Sequence, residues 1–525
     1  MGVVSAIDEL RERLGEIGDL SRAAALLAWD ERTMMPPAGG EARSEQLATL
    51  AKVRHEMFCD DEVGRLLEAA RAELPDADAE PGADVDADLV RVVSRDWEKA
   101  RRVPSELRAE MARAESVGEQ AWVEAKRASD YSLLLPHLER NVELARRYAD
   151  CYEGFENFSH PYDPLLDEYE PEMSTERMRS LLGELRDGLV PLVEQAAAAD
   201  SGAQDGAPGD GRRRSGSAED CLRGEFPIED QRELVAELIG EMPFPEGGWR
   251  LDPTEHPFAI TIGQGDVRLT TRYERGNLGM ALFSAMHEAG HGLYESGQDP
   301  ALARTPLCKP RSLGLHESQS RLWENWVARG APFLERLLPR LRDRFAAGFG
   351  DVTAAQLLRD ANRIERSLIR IEADEVTYNL HILIRFELEL MIFDDGSGGG
   401  LELKDLPEAW NARYRDYLGL DVPDDARGVL QDVHWSGGAF GYFPTYSLGN
   451  VIAGQLWLAA EREIGDLGER IAAGDLAALG EWLREHVHRH GRRLSPAQIL
   501  ERAGCGELSV EPLLDHLRAK AAAAD

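Results

Sequence analysis

Met286-His-Glu-Ala-Gly-His-Gly-Leu293 lies just past the middle of a 525-residue chain and carries two histidines four residues apart. On a helix that interval puts His287 and His291 on one face, with Glu288 beside them. The flanking sequence reads as a helix. Asn277 stands at a capping position, Leu278, Ala281, Leu282, Ala285, Met286, Ala289 and Leu293 mark one apolar side, and Gly297 ends the run. Gly290 and Gly292 weaken a helix on propensity alone, so their presence predicts that another segment packs closely there.

The H-E-x-x-H pattern pairs two metal-binding imidazoles with a carboxylate able to act as general base. A catalytic zinc takes three protein ligands and keeps a fourth position open for water. Leu315-His-Glu-Ser-Gln319 offers the third: Glu317 follows His291 by 26 residues (317 − 291), which leaves room for a loop and a second helix beside the first. Its carboxylate would also offset one of the ion's two charges. The expected cofactor is one zinc ion per chain, and cobalt or manganese suits the same ligands. The helical pattern runs on from His316 to Trp326. Within it, Glu324 could orient a ligand imidazole, although a surface charge is the plainer reading.

Outward from this motif the pattern is dominantly helical. Residues 1–74 show helical spacing broken at Met35-Pro-Pro-Ala-Gly-Gly40, and it resumes from Leu89 to Tyr152 with Pro136 opening a further helix. Around 258–273 the period changes: Phe258-Ala-Ile-Thr-Ile262 and Asp266-Val-Arg-Leu-Thr-Thr-Arg-Tyr273 predict a hairpin across a three-residue turn, Gly263-Gln-Gly265. Loops are expected at Pro75–Asp88, which is acidic, at Asp200–Glu219, which is rich in Gly, Ser and Asp, and at Asp394–Gly400. The expectation is a single catalytic unit over 1–525, with a helical N-terminal cover (about 1–199), a zinc-site half (about 220–525) and a small sheet beside the active site.

Composition narrows the function. With 96 acidic against 60 basic residues the net charge is −36, which argues against nucleic acid as a partner. Six of the 60 cations are Lys, and carboxylate excess with so few lysines suggests a high-salt, halophilic setting. No stretch approaches the ~18 apolar residues of a membrane span, and the N-terminus lacks a signal-peptide pattern, so a cytoplasmic location is expected. The five cysteines, at 59, 151, 221, 308 and 505, are dispersed and read as reduced thiols outside any metal-ligand spacing.

Several ordered motifs resemble the Taq-type carboxypeptidases, peptidase family M32. They are His256-Pro-Phe258, Asp266-Val-Arg268-Leu-Thr270, His287-Glu-Ala-Gly-His291, His316-Glu-Ser318, Ile369-Arg-Ile-Glu-Ala-Asp374 and Gly428-Val-Leu-Gln-Asp-Val-His-Trp435. Ala25-Leu-Leu-Ala-Trp-Asp30 and Thr33-Met-Met-Pro36 extend the likeness toward the N-terminus. The resemblance implies a mostly α-helical, neurolysin-like fold with a deep groove, and a homodimer. It also implies release of C-terminal residues from peptides with broad specificity, C-terminal Pro being resisted. By motif match it assigns zinc to His287, His291 and Glu317 and the general base to Glu288.

The segment His434 to Tyr446 resembles a substrate-contacting stretch of neurolysin-like enzymes, so His434 and Tyr442 are substrate-binding candidates and Tyr446 is favoured over Tyr442 as oxyanion donor. A carboxypeptidase must hold a terminal carboxylate, which Arg does bidentately. Arg370 is the first candidate, its alternative being an internal ion pair with Glu372 or Asp374. Arg268 and His256 are further candidates for lining the groove. Two rival readings share the metal motif: an oligopeptidase that cuts internally, and a non-catalytic zinc-folded binding protein. Structural zinc is usually closed by four ligands including Cys, and no Cys lies near this motif.

Overall fold

The computed structural model describes residues 5–156, 158–202, 220–394 and 400–524. The chain is mostly helical with one small three-stranded sheet. It gathers into two compact units whose segments interleave along the sequence. The first comprises Met1–Arg101, Asp220–Ala361 and Gln455–Leu508, and the second Arg102–Glu219, Asn362–Gly454 and Ser509–Asp525.

In the first unit the opening helix, Ala6–Thr33, is capped by Ser5, whose side chain accepts from Asp8 N. Leu10 and Leu14 bury its inner face with Val63, Leu67, Leu89, Val90 and Val93 from the next helices. The expected break at Met35–Gly40 is a 3₁₀ turn, Pro37–Gly39.

The sheet orders as β1 (Trp249–Pro253), β3 (Asp266–Thr271), β2 (Ala259–Gly263). β2 and β3 form the expected antiparallel hairpin, but its turn is tighter than the sequence suggested. Gly263 pairs with Asp266, so two residues form the turn and Gly265 takes φ +78°. β1 was not anticipated. It is a five-residue edge strand parallel to β3, with charged residues and a terminal Pro that mask its alternation. Val267 and Leu269 of β3 are fully buried, and the Leu278–Ser296 helix lies against them.

The second unit centres on the helix Glu375–Ile392, which is buried around most of its circumference: Leu380, Ile382, Leu383, Ile384, Phe386 and Leu388 are all 1% exposed or less. Such a helix reads as a near-continuous apolar run rather than a stripe. Polar Asn379, His381, Arg385 and Glu389 are equally buried, so each requires a partner. Glu389 accepts from Tyr162 Oη, from Trp435 Nε1 at 2.6 Å and from the Gly441 amide at 2.9 Å.

Two loop expectations change. The acidic stretch 75–88 is a loop only as far as 84, because a helix begins at Val85. Asp88 inside it is buried, and its carboxylate pairs with Arg493 at 2.7 Å and Arg91 at 2.7 Å rather than facing solvent. Of the expected Gly-rich loops, 203–219 and 395–399 lie outside the described residues, and the helix Thr175–Gly202 extends over the first residues of the former.

Candidate metal centre

His287 and His291 stand on the Leu278–Ser296 helix, which Asn277 caps as anticipated by accepting from Met280 N at 3.2 Å. Glu317 stands on a second helix, Leu313–Arg321, capped by Ser312. The two helices cross at Gly290. A Cβ there would sit 2.5 Å from the Gln319 carbonyl oxygen and 2.7 Å from Ser320 Cα, so the missing side chain is what allows the approach. Gly292, one residue past His291, meets the sheet instead, 2.8 Å from Val267 Cγ1 and 2.9 Å from a Leu269 methyl on the same reckoning. The close packing expected at both glycines is therefore present.

That crossing brings three donor atoms together. Nε2 of His291 lies 3.4 Å from Glu317 Oε2, and Nε2 of His287 lies 3.7 Å from the same oxygen. The three ligand atoms lie within 4.8 Å of one another. Tetrahedral zinc with bonds of 2.0–2.1 Å separates neighbouring ligand atoms by about 3.3–3.4 Å. His287, His291 and Glu317 therefore fit one small divalent ion with a fourth position open, and their mixed nitrogen and oxygen donors suit zinc, cobalt or manganese.

The outer atoms of these side chains are held as well. The Nδ1–H of His287 donates to Glu324 Oε2 at 2.9 Å, which turns Nε2 toward Glu317. Glu324 is only 14% exposed, so its reading as a surface charge is overturned. Beyond Arg321 the helix changes to a π-helical segment, Leu322–Ala328, and Glu324 sits on it. Arg321, absent from the sequence-based candidates, donates Nε to Glu317 Oε1 at 2.7 Å and Nη1 to Glu324 Oε2 at 3.3 Å. It thereby occupies the oxygen of Glu317 that faces away from the imidazoles.

Burial and these charges set the protonation states. Burial, helped by the charges of Glu317 and Glu324 and opposed by His287 and His316, pushes Glu288 up to about 7. Burial would raise Glu317 too, but Arg321 and the two imidazoles hold it well below the usual carboxylate range. Glu324 is brought to about 2, where the hydrogen bond from His287 and the Arg321 charge outweigh burial. Burial and neighbouring His316 keep His291 neutral, lowering it to about 3. Burial would lower His287, but Glu317 and the hydrogen bond to Glu324 outweigh it and raise its pKa. A metal needs neutral imidazoles and an ionised carboxylate, so His291 and Glu317 already have the required form, and a bound ion would displace the proton from His287. The His316 ring lies 4.1 Å from that of His291, and its Nε2 is 3.3 Å from Glu295 Oε1, one turn further along the first helix.

The remaining candidates fall in two places. In the second unit His434, Tyr442 and Tyr446 form one aromatic cluster. His434 Nε2 is 3.4 Å from Tyr446 Oη, and the Tyr442 ring lies 5.3 Å from each of the other two. Burial lowers His434 to about 4. Arg370 packs on this cluster, its guanidinium 5.2 Å from the Tyr446 ring. It is 6% exposed, and its ion-pair partner is Asp432 rather than Glu372 or Asp374: Nε and Nη2 reach one carboxylate oxygen at 3.0 and 2.9 Å, while Nη1 reaches Tyr378 Oη at 3.2 Å. The other oxygen of Asp432 takes Arg385 at 2.6 Å.

In the first unit, Arg268 is tied to Asp266 on its own strand at 2.9 and 3.0 Å and stacks over Trp29, 4.4 Å from the ring centre. His256 is exposed in the turn before β2. Cys221 also departs from expectation, since its sulfur clusters with carboxylates of Asp220 and Asp360. Burial and Asp360 push that thiol up, and Asp360 accepts from the Cys221 amide at 3.0 Å, so the group reads as a turn held by hydrogen bonds.

Comparison with known proteins identifies the family. The model of the carboxypeptidase Taq (M32) metallopeptidases matches residues 9–521. Thermostable carboxypeptidase 1 of Thermus thermophilus is 41% identical, over 99% of this chain and 99% of that one, and carboxypeptidase 1 of Bacillus subtilis is 36% identical over 98% and 97%. The crystal structure of an M32 carboxypeptidase from Deinococcus radiodurans R1 superposes with a TM-score of 0.90 at 38% identity, covering 98% of both chains. A histidine pair on one helix, a carboxylate brought to it by a second, and full-length likeness to these enzymes lead to one conclusion: the chain belongs to the carboxypeptidase Taq (M32) family of metallocarboxypeptidases, peptide hydrolases that work with a divalent metal.

Proposed function

We propose that the chain is a zinc carboxypeptidase that removes residues one at a time from peptide C-termini with broad specificity, C-terminal Pro excepted. His287, His291 and Glu317 hold the metal, and Glu288 is the general base. The observation that carries this reading is the convergence of the three donor atoms, with Glu288 buried beside them.

Zinc bound there would polarise the scissile carbonyl and lower the pKa of water toward ~7. Glu288 takes a proton from the attacking water and returns it to the leaving amine, and a carboxyl raised to about 7 suits both transfers. Glu324 and Arg321 keep His287 and Glu317 in place through these steps. Tyr446 donates to the oxyanion, with Tyr442 as the alternative donor and His434 as a substrate contact. Arg370 has five N–H groups, and the three bonds to Asp432 and Tyr378 leave two for a substrate carboxylate. His256 and Arg268 are assigned to the substrate path, Arg268 in its stacked position on Trp29.

The chain is a single catalytic unit over 1–525, and the enzyme works as a cytoplasmic homodimer in a high-salt cell. No helix among the described residues is long and apolar enough to cross a membrane. The −36 charge supports the salt dependence and the absence of nucleic-acid binding.

The test is mass spectrometry of unmodified peptides incubated with the purified zinc-loaded enzyme. Loss of single residues from the C-terminus, abolished by Glu288→Gln with the metal retained, is the expected result. Internal fragments appearing first would make the enzyme an oligopeptidase, and full turnover by Glu288→Gln would remove the base assignment.

A further inference from the structure

Most arginines in this acidic chain meet a carboxylate, yet three neighbouring cations of the first unit do not. Arg22, on the opening helix, spends its guanidinium on backbone carbonyls: Nη1 on Thr261 O of β2, and Nη2 on Cys308 O at 3.3 Å. Arg54, on the helix packed beside it, donates to Ser21 Oγ at 3.3 Å. Lys309 follows Cys308 directly in the chain. Among the described residues, none of the three has a carboxylate within ion-pair distance.

A fourth cation, Arg492, reaches the same segment by donating its amide to Leu307 O at 2.9 Å. Its own side chain holds Asp96 in a fork at 2.6 and 2.9 Å, so that this acid is already paired. Lys309 is solvent-exposed but recessed among protein atoms. Desolvation, and then the charges of Arg492, Arg22 and Arg54, depress its pKa. Repulsion of this kind is relieved by a bound anion. In a chain of net charge −36, three neighbouring cations with no ion-pair partner leave charge available for a ligand carboxylate.

This group is continuous with the metal centre. Arg22 lies close enough to Glu295 to help hold its carboxyl below the usual range, after His316 and Thr261. Glu295 faces His316 at 3.3 Å, and His316 stacks on the metal-binding imidazole of His291.

Resting on the carboxypeptidase reading, we infer that Arg22, Arg54 and Lys309 form a carboxylate-binding subsite for the peptide substrate, beside the metal centre and separate from Arg370. The carboxylate has two possible sources, the free C-terminus or an acidic side chain near it. Lys309 supplies the exchangeable contact, because Arg22 also clamps the opening helix to β2 and its loss would disturb the fold.

The experiment uses the zinc-loaded full chain and the variants Lys309→Gln, Arg54→Gln and Lys309→Arg, with metal content measured for each. Substrates are matched peptides ending in a free carboxylate or an amide, and peptides differing by Glu or Gln in the last two positions. Losing one charge-assisted contact should raise KM for the recognised carboxylate about tenfold. Metal content and turnover of the neutral counterpart should stay unchanged, and Lys309→Arg should restore most of the affinity. Collapse of the acid-to-amide ratio in Lys309→Gln places the C-terminus here, and collapse of the Glu-to-Gln ratio places an acidic side chain here. If both ratios persist while C-terminal laddering continues, the subsite is wrong and the carboxypeptidase reading survives. Internal cleavage by the parent enzyme would overturn that reading itself.

Discussion

The Nδ1–H of His287 donates to Glu324 Oε2 at 2.9 Å, so a residue 37 positions away fixes the orientation of a metal-binding imidazole. Partners of this kind typically contribute about 10- to 100-fold to metal affinity. Glu324→Gln is expected to weaken zinc binding by about that factor, read by competition with a chromophoric chelator. The metal-free variant should melt within a few degrees of the metal-free parent. Unchanged zinc affinity in Glu324→Ala would show that ring packing alone orients His287.

Gly290 is the second point of vulnerability. A Cβ there would press on the backbone of Gln319 and Ser320, and backbone cannot yield as a flexible side chain does. Overpacking of this kind costs about 1–3 kcal/mol, so Gly290→Ala should lower the denaturation midpoint correspondingly. Because the same contact spaces the His pair from Glu317, zinc affinity should fall with it. A Gly290→Ala protein with parental stability and zinc content would contradict the crossing geometry.

Acid sensitivity is traced to buried carboxylates in the second unit. Glu375 accepts from His516 Nε2 at 3.1 Å and pairs with Lys520, and these outweigh burial to hold its pKa far below normal. Asp432 is depressed in the same direction by Arg385 and Arg370. A carboxylate with a depressed folded pKa stabilises the fold above its unfolded pKa of ~4.3, and that contribution is lost as pH falls through lower values. Thermal midpoints should therefore drop steeply between about pH 4.5 and pH 2. Lys520→Met should be less stable at pH 7, where it strands a buried charge, and should show a shallower acid slope. Parallel slopes for parent and variant would remove Glu375 from the explanation.

Salt acts on the net charge of −36. At 1 M ionic strength the Debye length is ~3 Å, short enough to damp repulsion between neighbouring surface carboxylates. Both thermal midpoint and kcat/KM should rise from low salt toward molar KCl. A flat or falling midpoint would leave an acidic protein without halophilic adaptation.

The metal pair was legible because one helix carries it: i and i+4 positions share a face wherever the helix packs. Glu317 was reachable from its interval, since a loop and one antiparallel helix return the chain to the same place. Glu324 was hidden by something periodicity does not encode, a change of helical pitch after Arg321, whereas Arg321 stands one regular turn from Glu317 and was readable from that spacing. Asp88 reads as part of an acidic loop until Arg493, 405 residues later, is seen to pair with it. Arg370 shows the same limit, because its motif holds two acids while its partner Asp432 lies 62 residues on. Strand β1 was missed because a five-residue edge strand leaves too few alternations to count.

The π-helical segment Leu322–Ala328 amounts to an α-helix lengthened by one residue within a turn. Removing a single residue between Trp323 and Ala328 would therefore let the chain relax into a regular screw without breaking the element. Residues past the segment would keep nearly their present phase, and those inside it beyond the cut would turn by up to roughly one residue's angle, 100° for an α-helix. A cut just ahead of Glu324 would swing its carboxylate out of reach of His287 while Glu317 and Arg321, upstream, kept their places. This short stretch is thus a phase adjuster, in which chain length rather than side-chain identity sets whether the imidazole is gripped.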